Sequence, residues 1–141
     1  MDDARLAEEL RLTIGQLVRT VRTADTMPPG EAAVLGHLDR DGAMTAADIA
    51  ERRGVTHQSA TKAVKELLGQ GLVRTEAHPL DRRKILLHLT PAGSSRLAEE
   101  RGRRAEWLGA AIDDALGPEE REVLVAALPL LARLTERLRT S

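Results

Sequence analysis

Between Ala4 and Thr23, the residues Leu6, Leu10, Ile14, Leu17, Val18 and Val21 recur at steps of three and four. That period lays one apolar stripe along a helix. A turn-rich stretch follows, ending in Pro28-Pro29-Gly30. A short helix then turns Val34, Leu35 and Leu38 inward and stops at Asp41-Gly42. Thr45, with Asp48 three residues on, has capping-box spacing and predicts a helix over residues 46–53 that buries Ile49 and Ala50. Gly54 ends it, as a left-handed residue does. Thr56 caps the next helix, which runs to about Leu68 with Ala60, Ala63, Val64, Leu67 and Leu68 inward, closed by Gly69 and Gly71. Two helices joined by so short a turn must cross steeply, and the small residues Ala50, Gly54 and Ala60 allow the close approach. This is the helix-turn-helix pattern.

The period then changes. "LVRTEAHPLDRRKILLHLT" reads as strand, loop, strand, with Ile85, Leu87 and Leu89 alternating with Leu86 and His88. Thr90 caps a long helix with Pro91 in its first turn, highly charged to Glu106 and then apolar through Trp107, Leu108, Ala111, Ile112, Ala115 and Leu116. Gly117-Pro118-Glu119-Glu120 ends it and starts a last helix carrying Val123, Leu124, Ala127, Leu128, Leu131, Leu134 and Leu138. Pro129 falls inside that helix, where it removes a hydrogen bond and should kink the axis. Leu130 widens the apolar stripe beyond what one side of a small domain needs. An excess of that kind predicts a partner, and the simplest partner is a second copy.

Composition narrows the picture. Hydrophobic residues make up 42% of the 141 residues, yet there is no Phe or Tyr and one Trp, so the core must be Leu, Val, Ile and Ala, which favours packed helices. The absence of cysteine excludes disulfides, thiolate metal sites and thiol redox sensing. No apolar run reaches bilayer length, and the acidic start "MDDARLAEEL" lacks the features of a signal peptide, so a cytoplasmic protein is expected. Net charge is −1, but it is unevenly spread. Residues 45–90 hold eight Lys/Arg against five acids, and the remainder 13 against 17. A basic middle on an acidic frame fits a lobe that faces nucleic acid.

Catalysis has no foothold in the chain. His37, His57, His78 and His88 show no metal-ligand spacing, and there is no Gly-rich phosphate loop or nucleophile elbow. The acidic pairs Glu8-Glu9, Glu99-Glu100 and Asp113-Asp114 lie in charged helix segments, where solvation is the expected role. No metal, cofactor or enzyme activity is therefore expected.

The order of elements is that of a winged helix-turn-helix flanked by N- and C-terminal dimerisation helices, a mainly α fold with a small β-hairpin wing. The whole chain resembles the multiple antibiotic resistance regulator (MarR) family of bacterial transcription factors. The resemblance is carried by "PPGEAAVLGHL", "TAADIAERRGVTHQSATKAVKELLGQGLV", "HPLDRRKILLHLTPAG" and "LGPEEREVLVAALPLLARL", and most specifically by the wing-plus-helix block from Asp81 to Gly93. It implies a single domain over residues 1–141, with a DNA-binding lobe at 30–90 and dimerisation helices at 1–25 and 91–141. It further implies a homodimer on a pseudo-palindromic operator in double-stranded DNA, acting as a repressor relieved by a small ligand.

Residue by residue, the resemblance sends the helix from Thr56 into the major groove, with His57, Gln58, Ser59, Thr61, Lys62 and Lys65 as candidates. Side-chain chemistry agrees. The Gln58 amide can pair bidentately with adenine, Ser59 and Thr61 can serve bases or phosphates, and Lys62 and Lys65 suit phosphates. At the wing, the family's arginine at the Arg83 position reaches into the minor groove and its aspartate at the Asp81 position braces the tip. Arg82 and Lys84 suit phosphates, and Arg74 either a phosphate or a nearby acid. A ligand cleft in the family lies between the dimerisation helices and the winged lobe, with Trp107, His37 and Arg11 as candidate lining. The family's pockets commonly include aromatic side chains, and here Trp107 is the one available. A winged-helix architectural or protein-interaction module without operator specificity is the alternative.

Overall fold

The computed structural model describes residues 1–141 as six helices and one antiparallel hairpin. They are α1 (Asp3–Arg22), α2 (Pro29–Asp41), α3 (Ala46–Arg53), α4 (His57–Gly69), β1 (Val73–Ala77), β2 (Ile85–Leu89), α5 (Pro91–Ala115) and α6 (Pro118–Arg139). The chain divides into two compact units, Met1–Arg104 and Ala105–Ser141, with the boundary inside α5.

The helix-turn-helix forms where its caps are. Thr45 Oγ1 accepts the Asp48 N–H at 3.1 Å while the Asp48 carboxylate accepts the Thr45 N–H at 3.1 Å, the reciprocal box that starts α3. Those hydrogen bonds hold the Asp48 carboxyl below its ordinary value. Gly54, at φ +65°, turns the chain, and Thr56 Oγ1 then accepts the Ser59 N–H at 3.0 Å to start α4. Val34, Leu35, Ile49, Ala60 and Leu67 have no exposed surface, so α2, α3 and α4 meet in one aliphatic core. Leu72, Val73, Leu87 and Leu97 extend it to the hairpin and the start of α5.

The hairpin pairs Val73 with Leu89 and Ala77 with Ile85. Leu87 is buried, but Ile85 is 55% exposed, because the tip end of β2 runs past the core. A third strand stub escapes periodicity analysis. Met44 is buried and its carbonyl accepts the Leu87 N–H at 2.8 Å, tying the chain just before α3 to the wing. Gly69, placed at the end of the recognition helix by its sequence, is the last helical residue, and Gly71 at φ +72° makes the turn.

Thr90 joins the hairpin to α5. Its N–H donates to the Leu72 carbonyl at 3.1 Å, its hydroxyl donates to the Gly71 carbonyl at 2.7 Å, and its Oγ1 accepts the Gly93 N–H at 3.0 Å. Gly93 is buried there, and a Cβ on it would overlap the Leu72 carbonyl oxygen and lie 2.8 Å from Leu89 Cδ1. A helical Gly→Ala change ordinarily stabilises. At Gly93 the backbone overlap should reverse the sign, and Gly93→Ala should lose about 2 kcal/mol in urea unfolding. Equal or higher stability would contradict this packing.

One acidic pair departs from expectation. Glu99 is exposed, but Glu100 has no exposed surface and accepts hydrogen bonds from Thr26, Arg96 and Arg103. Neither α1 nor α6 contributes a buried residue. Along α1, Leu6 and Leu17 are about half exposed, and along α6 Val123, Leu128 and Leu138 are more so. The α6 helix continues through Pro129 from Pro118 to Arg139.

Candidate nucleic-acid interface

The α4 helix presents its first two turns to solvent. Thr56, His57, Gln58, Ser59, Thr61, Lys62 and Lys65 line one shallow depression on its outer face, while Ala60, Val64 and Leu67 hold the opposite face in the core. All seven candidates are thus brought together by one helix period. Thr61 stands apart from the others in one respect: its hydroxyl oxygen is buried and has no hydrogen-bond partner. Lys62 and Lys65 are exposed and have no carboxylate within ion-pair distance.

The wing tip is organised by Asp81. Its carboxylate accepts the Arg83 N–H at 3.0 Å and the Arg83 guanidinium at 3.2 and 3.4 Å. Hydrogen bonds from the Arg83 side chain and then from its backbone hold the Asp81 carboxyl below its ordinary value. The turn closes with the Lys84 N–H donating to the Asp81 carbonyl at 2.9 Å and the His78 N–H to the Lys84 carbonyl at 3.0 Å. His78 Nδ1 accepts the Leu80 N–H at 3.1 Å. The Arg83 side chain is 91% exposed despite its bonds to Asp81, so it is oriented yet free to be taken up by another acceptor. Arg82 and Lys84 are exposed as well.

Arg74 is engaged locally. It lies 3.7 Å from Glu76, whose carboxylate also sits 2.7 Å from His88 Nε2 across the hairpin. A cleft that sequence spacing does not reveal connects the two candidate surfaces. Thr45, Asp48, His57, Arg83 and Lys84 line it, because the Met44 bridge draws the start of α3 against the wing.

The three candidate ligand residues are placed differently from one another. His37, half-buried on α2, lines a cavity of about 340 Å³ within the first unit. Arg11 is exposed on α1 and paired with Glu8 at 2.9 Å. Trp107 belongs to the second unit and is 48% exposed. Most of the cavity's remaining polar lining is arginine, contributed by helices far apart in sequence, and no motif marks it. No group of three His, Cys, Asp or Glu side chains could hold a metal ion, and no helix is long and apolar enough to cross a membrane.

A capped helix-turn-helix with an exposed polar recognition face, followed directly by an arginine-tipped hairpin, defines a winged-helix DNA-binding protein. The sequence model of the MarR family matches residues 25–84. An HTH-type transcriptional regulator of Mycobacterium leprae is 31% identical over 137 residues, covering 95% of each chain. A crystal structure of a Pseudomonas aeruginosa protein described as a transcriptional regulator superposes with a TM-score of 0.81 at 30% identity, again over 95% of each chain. The Bordetella bronchiseptica regulator BpsR, 24% identical over 89% of this chain and 91% of its own, shares the fold at a TM-score of 0.57. The chain belongs to the MarR family of DNA-binding transcriptional regulators.

Proposed function

We propose that the protein works as a homodimer that recognises a pseudo-palindromic operator and represses transcription until a small ligand releases it. The observation that carries the dimer is the apolar surface of α6. Val123, Leu128 and Leu138 are each more than 60% exposed on a helix with no buried residue. Surface of that extent needs a cover, and a second copy of the same face provides one by two-fold symmetry. On α1, Leu6, Leu17 and Val18 are exposed as well.

A two-fold dimer presents two copies of α4 to successive major grooves, about 34–36 Å apart, with the wings over the flanking minor grooves. Gln58 and Ser59 then read base edges, Lys62, Lys65, Arg82 and Lys84 meet phosphates, and Arg83 enters the minor groove. Narrow, A·T-rich grooves concentrate negative potential, which favours a guanidinium there. Ligand release takes support from BpsR, whose DNA binding is regulated by 6-hydroxynicotinic acid. Such a regulator acts in the cytoplasm, where its DNA is.

Leu128→Asp tests the dimer and its consequence together. A carboxylate on each copy of a buried apolar face should raise the dimer dissociation constant by about a hundredfold or more, giving monomers in sedimentation. The same variant should lose affinity for DNA carrying two half-sites. A variant that stays dimeric would remove α6 from the interface.

A further inference from the structure

We infer that Leu80, at the tip of the wing, is a specificity-determining contact: an apolar side chain that lies on the minor-groove floor beside Arg83 and selects A·T over G·C pairs there. The inference rests on the wing's proposed place over the minor groove and adds to it a residue that carries no charge.

Leu80 is 90% exposed, more than any other large apolar side chain in the protein. Single exposed leucines are ordinary on protein surfaces. This one differs in being held. Residues 78–84 span the tip beyond the last strand pair, Ala77 with Ile85. The Leu80 N–H donates to His78 Nδ1 at 3.1 Å, and the ring of Pro79 fixes φ between them. The Lys84 N–H donates to the Asp81 carbonyl at 2.9 Å and the His78 N–H to the Lys84 carbonyl at 3.0 Å, which ties the two ends of the loop. The backbone that carries Leu80 is thus ordered before a partner arrives, and little chain entropy is left to lose on contact.

The neighbours of Leu80 decide what that partner is. Arg82, Arg83 and Lys84 are exposed on the same tip, and Asp81, its one acid, is bonded to Arg83. A tip that carries three cations to the DNA backbone carries Leu80 with them. An apolar side chain gains nothing against phosphates, but it fits the groove between them, where minor-groove proteins place leucine and similar side chains.

The selectivity follows from the groove floor. A·T pairs show only acceptors there, adenine N3 and thymine O2, whereas a G·C pair adds the guanine N2 amine. That amine takes the room a leucine methyl would fill. Leu80 has no atom to accept its hydrogen bond, so covering it strips a donor of water without replacing the bond. The A·T acceptors can be met by the Arg83 guanidinium on the same tip. Arg83 favours a narrow groove through its charge, while Leu80 acts on the amine itself, so the two preferences are separable.

Competition binding of the full chain tests this on two DNAs. One is the operator that the protein selects from random DNA. The other carries 2,6-diaminopurine in place of adenine in the flanking pairs that the protein shields from hydroxyl radicals. The replacement adds the minor-groove amine and leaves the major-groove edge of adenine unchanged. The native chain should bind the substituted operator about tenfold more weakly. Leu80→Ala should bind the unmodified operator about threefold more weakly than the native chain and discriminate between the two DNAs by about twofold at most. Leu80→Asn, whose amide oxygen can accept from the amine, should bind the substituted operator at least as well as the unmodified one. Selected flanks rich in G·C, no discrimination by the native chain, or full discrimination in Leu80→Ala would overturn the proposal. Arg83→Ala, measured alongside, separates it from the wing reading. If Arg83→Ala weakens binding while Leu80→Ala matches the native chain on both DNAs, the wing reading stands and this proposal alone falls. Unchanged affinity in Arg83→Ala removes both.

Discussion

Arg83→Ala should lower affinity for the operator by about tenfold or more while leaving the chain's association state unchanged. The side chain is 91% exposed and its hydrogen bonds are to Asp81, so its removal leaves no cavity and no unpaired buried group in the folded chain. What is lost is a guanidinium already aimed by the Asp81 carboxylate, present twice in a dimer. Arg83→Lys keeps the charge but loses the planar fork and should recover affinity only in part. Asp81→Asn should weaken binding in the same direction, since it removes the carboxylate charge that holds the Arg83 guanidinium. A competition assay against unlabelled operator, beside sedimentation of the same samples, measures both halves. Unchanged affinity in Arg83→Ala would take the wing out of recognition.

The second large effect concerns stability. Glu100 is buried and receives the Thr26 N–H at 3.0 Å, the Thr26 hydroxyl and Arg103 Nη2 at 2.8 Å. Burial works to raise its pKa, but the hydrogen bonds from Thr26 and the Arg103 guanidinium outweigh it and hold the carboxyl at about 2, against an ordinary value of 4.5. A group whose pKa is depressed by folding stabilises the native state above the unfolded value. That contribution is lost as pH falls from about 4.5 through about 2.

Glu100→Gln puts an amide N–H₂ among donors and removes the charge that Arg96 and Arg103 face. The expected loss at neutral pH is about 3 kcal/mol, or roughly 10 °C in melting temperature. The difference in unfolding free energy between native chain and variant should shrink on acidification across that window. A difference that stays constant with pH, or a variant as stable as the native chain, would show that the network holds little.

The parts of the fold that could be read from sequence are those whose causes are local. Thr45, Gly54 and Thr56 act on residues within four positions, as does Thr90 where it caps Gly93, so these caps and turns are written in short motifs. The face of α4 is equally legible, because one helix period decides which side chains share it. What escaped depends on partners distant in the chain. Glu99 and Glu100 are adjacent in a charged helix, and a contact with Thr26, 74 residues away, buries the second alone. Met44 gives no strand signal, because one backbone hydrogen bond to Leu87 makes it part of the sheet. The arginine-lined cavity draws on four helical segments, and no spacing along any one of them announces it.

Operator specificity is what separates base reading from charge alone, since phosphate contacts alone would also give a winged helix strong, salt-sensitive DNA binding. The deciding measurement is competition, at one fixed salt concentration, between the inverted repeat that the protein selects from random DNA and a shuffled sequence of the same composition. A dimer reading bases through α4 predicts a preference of about a thousandfold or more for the inverted repeat. A ratio near one would contradict it and leave an architectural or protein-interaction module in its place.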